Sequence, residues 1–295
     1  MGRTAGIWPY VCLAPALLVF ALVEIIPALA TAVFSLTDYT ALPNTPINFV
    51  GLENYNALLL GSRTLITKAL QVSLVFSIAV TVLQNGFAVL VAWLLNTTLR
   101  GRILVRSVVF LPVVLGATIN GLVWYVMFNP LSGPITLMIN YVFDAKSNML
   151  GNVGSALYAA IWVQIWANLG FSMMIFLAGM QGIPNEIYEA GKIDGTTAWQ
   201  AFRKLTIPLL APSITINVLL AVIGTLTTFE LLFILTGGGP AFATQTLGLF
   251  VFNQAFYGAA RNAGFAASIA MVQFAIVFAV AMVLQFYLRR REAVL

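Results

Sequence analysis

The sequence predicts an all-α integral membrane protein of six transmembrane helices, with a short cytoplasmic helix pair between the fourth and the fifth. Three observations carry that reading. Of the 295 residues, 61% are hydrophobic and 8% charged, and mean hydropathy is +0.97, whereas soluble domains carry roughly a quarter charged residues. The apolar residues form long unbroken runs, which in hydrocarbon must be helices because a helix satisfies its own backbone groups, and they lack the alternation of a barrel strand. Lys and Arg, finally, concentrate on alternate connections.

The predicted spans lie at about 8–36, 68–95, 107–128, 154–180, 213–235 and 263–287. The first follows Arg3, yet it is far longer than the h-region of a cleaved leader and shows no clear cleavage site, so a retained signal-anchor is expected. Six spans put both termini on one side. With that side cytoplasmic, ten basic residues lie inside (Arg3, Arg100, Arg102, Arg106, Lys192, Arg203, Lys204, Arg289, Arg290, Arg291) and four outside (Arg63, Lys68, Lys146, Arg261). This bias follows the positive-inside rule. The division expected is residues 1–65 for the first helix and outer loop and 66–290 for a five-helix core.

Composition also excludes chemistry. There is no histidine and one cysteine, Cys12, inside an apolar run, which removes Ser-His-Asp and Cys-His catalysis, Cys/His zinc sites and intrachain disulfides. No catalytic residue, metal site or nucleic-acid partner is expected, since the basic residues are spaced between spans and form no patch.

The loop at about 181–212 is the most soluble-looking stretch of the second half. Pro184 and Asn185 fit the start of a helix through "EIYEAGK", with Glu186 and Glu189 near its positive end. "DG" at Asp194-Gly195 forces a turn. Thr196 or Thr197 can cap a second helix in which Ala198, Ala201, Phe202 and Leu205 share one apolar face. Such a loop could simply rest on lipid headgroups. Ala190, Gly191 and Gly195 are small where a lipid-facing helix would use Leu or Phe, which favours a protein partner.

"EAGKIDGTTAWQAFRKLTIPLLAP" resembles the EAA loop of binding-protein-dependent ABC importer permeases, and "FSLTDYT", "FVGLENY", "LRGRILVRSVVFLPVVL", "QGIPNEIYEA" and "LTGGGPAFATQTL" agree with it over nearly the whole chain. The likeness is to the sugar and glycerol-phosphate type. It implies a coupling helix seated in a cytoplasmic ATPase dimer, with Glu189, Ala190, Gly191, Asp194 and Gly195 as the positions carried over; Gly191 stands where the family often has alanine. It further implies a second homologous permease subunit, an extracytoplasmic solute-binding protein and a bacterial or archaeal inner membrane. No G-x-x-x-x-G-K-[ST] occurs in the chain, so ATP and Mg belong to the partner ATPase and this chain carries no cofactor.

Polar residues inside spans are costly and often functional. Gln164, Asn168 and Ser172 form one stripe, Gly116, Asn120 and Trp124 another, and Gly224, Thr227, Thr228 and Glu230 cluster in the fifth span, while Gln84 and Asn85 lie in the second. Amides suit a neutral polyhydroxylated solute, and Trp124 could cover a sugar face. The same residues also glue membrane helices together, so packing and lining stay open for each. Glu24 reads as structural, and Trp162 and Trp166 point away from the amide stripe. The function expected is an ATP-driven sugar permease subunit working by alternating access. The alternatives are a glycerol-phosphate importer, or a secondary transporter in which Glu230 carries a proton or cation; an intramembrane enzyme lacks the residues.

Overall fold

A computed structural model describes residues 8–97, 101–143, 147–257 and 262–292. Arg3, Arg100, Lys146 and Arg261 of the orientation count lie outside the described residues. The described chain is helical, and five of its helices are long and apolar enough to cross a membrane, or six if the pair Ala198–Leu209 and Ala211–Thr227, bent by 70°, is a single span. It divides into two compact units, residues 1–63 with 250–274 and residues 64–249 with 275–295.

The first unit begins with α1 (Trp8–Phe20), a π-helical stretch Ala21–Ile25, and α2 (Ile26–Phe34). Together Val11–Phe34 make a 24-residue apolar rod with none of its window buried in this chain. The wide turn just before Pro27 has a simple cause: a proline ring clashes with the carbonyl four residues back, and widening the helix makes room for it. Beyond α2 the chain folds on itself. Asp38 accepts hydrogen bonds from the Asn48 backbone N–H (2.7 Å) and side chain (2.9 Å), beside a bridge between Thr37 and Phe49. The buried Asn54 donates to the carbonyls of Ser35 and Thr37. The Gly264 N–H donates to Tyr39 O and ties in the start of the last long helix, which runs Ala263–Glu292.

The second unit holds α3 (Arg63–Leu95), α4 (Arg102–Met127), α5 (Pro134–Phe143), α6 (Ala156–Gln181), α7 (Asn185–Ile193), α8 (Ala198–Leu209), α9 (Ala211–Thr227), α10 (Glu230–Thr236) and α11, whose range Leu247–Phe256 continues into the first unit. α6 is its buried axis, with Ala160, Val163, Met173, Phe176 and Leu177 nearly inaccessible. α4 meets α6 at Gly170, where a Cβ would lie 2.5 Å from Val109 O and 2.7 Å from Phe110 Cα. Without a hydrophobic force between helices in lipid, such close backbone approach is what holds them together.

Two predicted spans prove discontinuous. The third, expected as one helix, is interrupted at Gly116, whose φ of 75° and ψ of 165° are non-helical. The fifth, expected to run 213–235, is two helices: α9 ends at Thr227, Thr228 is extended (φ −65°, ψ 135°), and α10 restarts at Glu230. The carbonyl of Thr228 accepts from the Thr246 hydroxyl, and Gly248 lies directly against the carbonyls of Thr227 and Thr228. A helix break of this kind is tolerated at membrane depth where protein or a polar cavity meets the freed groups.

Candidate functional site

Both breaks face one cavity of about 260 Å³, lined by Val113, Gly116, Ala117 and Asn120 of α4, Gln164, Ala167 and Asn168 of α6, and Gly224, Thr228 and Leu231 beside the second break. None of these ten residues is charged. At Asn120, itself buried, Nδ2 donates to Pro112 O at 2.9 Å and Oδ1 has no partner. Asn168 donates to Gln164 O one turn earlier, leaving its own carbonyl and the Gln164 amide as cavity wall. A cavity with amide donors and acceptors and no ion can pair with hydroxyl groups; it has nothing to neutralise a phosphate or carboxylate, which calls for Arg or Lys.

A second cavity of about 190 Å³ adjoins it through shared Gln164, Asn168 and Gly224. Here the polar groups are tied to one another: Gln84 donates to Ser172 Oγ at 2.7 Å and Asn217 to Ser172 O at 3.3 Å. All three residues of the expected stripe line this second cavity, and Ser172 also joins helices through its bonds from Gln84 and Asn217.

Of the other residues singled out in the sequence, Trp124 packs against Trp166 (5.4 Å between ring centroids, nearly perpendicular) and Phe128 (5.2 Å) and lines neither cavity. Trp162 is exposed, and Trp166 serves this helix contact. Thr227 is exposed and bonds back to Ile223 O. Glu230 is also exposed, opening α10 away from both cavities. The breaks themselves were missed. No capping bond marks the second: Thr227 bonds back to Ile223, and Phe229 precedes α10 without a side-chain cap.

The loop between α6 and α9 folds locally as its residues dictate. α7 and α8 are joined by Asp194 and Gly195, with Gly195 at φ +74°. Thr197 accepts from Gln200 N, and its own N–H donates to Gln200 Oε1, closing a capping box. Ahead of Pro208 the helix widens again to a π stretch, Phe202–Thr206, for the reason given at Pro27. Phe202 is 4% exposed and sits in a cluster with Ala88, Ala92 and Leu95 of α3 and Met173, Phe176, Leu177 and Met180 of α6. Glu189, Ala190, Asp194 and Gly195 are exposed, as a docking surface requires. Gly191 is not on that surface: it is buried, and a Cβ there would stand 2.9 Å from Leu205 Cδ1 and 3.0 Å from Thr196 Oγ1. Its smallness serves the contact between α7 and α8.

A multi-pass helical protein with a polar cavity between interrupted helices, and a folded helical loop between two of them, has the parts of a transport subunit. The chain belongs to the family of binding-protein-dependent transport system inner membrane components, which it matches over residues 9–294. It is 34% identical to a multiple sugar-binding transport system permease protein of Streptococcus mutans, over 90% of this chain and 89% of that one. It is 30% identical to an sn-glycerol-3-phosphate transport system permease protein of Agrobacterium fabrum, over 92% of each. In fold it is similar to a chain of a bacterial ABC transporter involved in the import of the acidic polysaccharide alginate, with a TM-score of 0.82 over 96% of each chain and 19% identity. The family membership bears out the permease reading and sets aside the secondary transporter.

Proposed function

We propose that the chain conducts a neutral sugar through the cytoplasmic membrane by alternating access. The observation that carries this is the uncharged amide cavity of Asn120, Gln164 and Asn168 at the two helix breaks. The sugar-transport name of the Streptococcus relative supports it; the glycerol-phosphate name of the Agrobacterium relative favours an anion instead, whose charge a partner subunit would have to meet. Thr227 and Glu230 belong to the path only in a state other than this one, and Trp124 acts by holding α4 to α6.

In this reading α9 and α10 together make the fifth of six spans, both termini are cytoplasmic, and the α7–α8 loop is the coupling element. Residues 1–65 form the first helix and outer loop, and 66–290 the permease core. Glu189, Ala190, Asp194 and Gly195 meet a cytoplasmic ATPase dimer, which holds ATP and Mg, and Gly191 keeps α7 and α8 close enough to move as one body. A second homologous permease and an extracytoplasmic solute-binding protein complete the importer.

The test is uptake by proteoliposomes holding the complete importer, with neutral sugars and glycerol 3-phosphate compared. A neutral sugar should be transported, Gln164→Leu should lower its uptake at unchanged ATPase assembly, and Glu189→Lys should abolish uptake and solute-stimulated ATP hydrolysis together. Uptake restricted to the anion would overturn the substrate reading, and normal uptake by Glu189→Lys would overturn the docking role.

A further inference from the structure

The bond between Asn120 and Pro112 spans eight residues of one helix. In a straight α-helix those residues are separated by about 12 Å along the axis, beyond the reach of an Asn side chain. The 2.9 Å bond therefore exists only because α4 is broken at Gly116, between them. Gly116 lies between the two residues, and the change of chain direction at its φ of 75° brings the Asn120 side chain back to the Pro112 carbonyl, which can accept a second hydrogen bond. Nothing lies within 4 Å of a Cβ built at Gly116. Glycine is required there for its backbone angle alone.

Both halves of α4 touch α6, the N-terminal half at Val109 and Phe110 against Gly170 and the C-terminal half through Trp124 against Trp166, and the C-terminal half also lies along α10, where Gly121 touches Ile234. Between them the Asn120 amide has a divided role. Its nitrogen is committed to Pro112, while its oxygen is buried without a partner, on a residue that lines the cavity.

We propose that Asn120 is a latch that couples the occupant of this cavity to the bend of α4. The free atom is an acceptor, so the group that completes it must be a donor: a hydroxyl fits, and a phosphate or carboxylate oxygen does not. A hydroxyl donating to Oδ1 holds the carboxamide in the orientation that keeps Nδ2 on Pro112. It thereby favours the bent helix over a straightened one, as any ligand favours the state with which it makes the extra contact. This rests on the transport-path reading for the identity of the occupant, but the latch itself does not.

Spin labels at Val105 and Val126, both about half exposed on opposite sides of the break, test it in the assembled importer in lipid. A straight helix would separate these backbone positions by about 31 Å; the unmodified chain should give a single shorter distance. Asn120→Leu keeps the volume and removes donor and acceptor alike, and should split or lengthen that distance with no solute present. Gly116→Ala should shift it toward the straight value. Glycerol, as a minimal polyol, should narrow the distribution in the unmodified chain and leave Asn120→Leu unchanged, whereas dimethyl sulfoxide, which only accepts, should do neither. An unaltered distance in Asn120→Leu overturns the latch, and no response of the unmodified chain to glycerol overturns its coupling to the cavity. Failure of sugar uptake with these distances as expected would sink the transport-path reading alone.

Discussion

The ring of Phe202 lies 4.7 Å from the ring of Trp93, centroid to centroid, and Trp199 closes the group at 5.4 Å from Phe202 and 5.9 Å from Trp93. Through this contact the loop helix α8 is fastened to the end of α3, and through Met173, Phe176 and Leu177 to α6, which carries Gln164 and Asn168. A displacement of the loop is thus handed to the helix that lines the cavity. Phe202→Ala should cost about 3–5 kcal/mol of local packing and leave ATP hydrolysis poorly linked to uptake. Phe202→Leu keeps the burial, loses the ring pairing of roughly 0.5–1.5 kcal/mol, and should fall between. The ratio of solute transported to ATP hydrolysed in proteoliposomes distinguishes them; an unchanged ratio for Phe202→Ala would count against this route.

Two glycines should respond differently to one added methyl. At Gly170 the nearest atoms are backbone, Val109 O and Phe110 Cα, which cannot step aside, so Gly170→Ala should destabilise by about 1–3 kcal/mol, the usual cost of overpacking. At Gly191 the nearest atoms are the ends of Leu205 and Thr196. Leu205 can rotate, and alanine gains up to about 1 kcal/mol in helix propensity, so Gly191→Ala should stay within about 1 kcal/mol of the unmodified chain. Thermal unfolding in detergent reads both, and an equal drop would contradict the contrast.

Orientation is tested best at Ile193, which is 87% exposed; Thr197 is a poorer probe because its hydroxyl closes the cap of α8. In a Cys12→Ser background, Ile193→Cys should react with an impermeant maleimide in inverted vesicles and not in intact cells. Labelling in intact cells would reverse the topology.

Asp38 supplies a pH dependence. Its hydrogen bonds from Asn48, side chain first and backbone N–H second, lower its pKa below the usual 3.8. The carboxylate thus favours the folded outer loop above pH 3.8, and the benefit is lost as pH falls through the lowered value. Proteolysis or hydrogen exchange at residues 37–50 should show loosening on acidification below pH 3.8. Asp38→Ala should be loose throughout; a pH response that survives this substitution would assign it to another group.

What was legible in the sequence is what residues settle with their near neighbours. Asp194-Gly195 turns because Gly195 tolerates a positive φ, and Thr197 caps because Gln200 lies three residues on. The amides of α6 were found because a four-residue spacing survives in a continuous helix. The breaks at Gly116 and Thr228 were not, since each is paired by a group outside a local window: Asn120 for the first, Thr246 for the second. The burial of Gly191 was hidden for the same reason, its contact being Leu205 in the next helix.

The interrupted fifth segment also has a chronology. α10 has seven residues, about 10 Å of helix against a hydrocarbon core of about 30 Å, and it cannot enter a bilayer alone. The groups that meet the open carbonyl of Thr228 and cover its break, Thr246 and Gly248, are synthesised after it. Until they fold back, bare backbone at Thr228 would be costly in lipid. The break between Ala211–Thr227 and Glu230–Thr236 is therefore finished by chain made later than the two helices it separates, and the cavity it borders is completed last at that side.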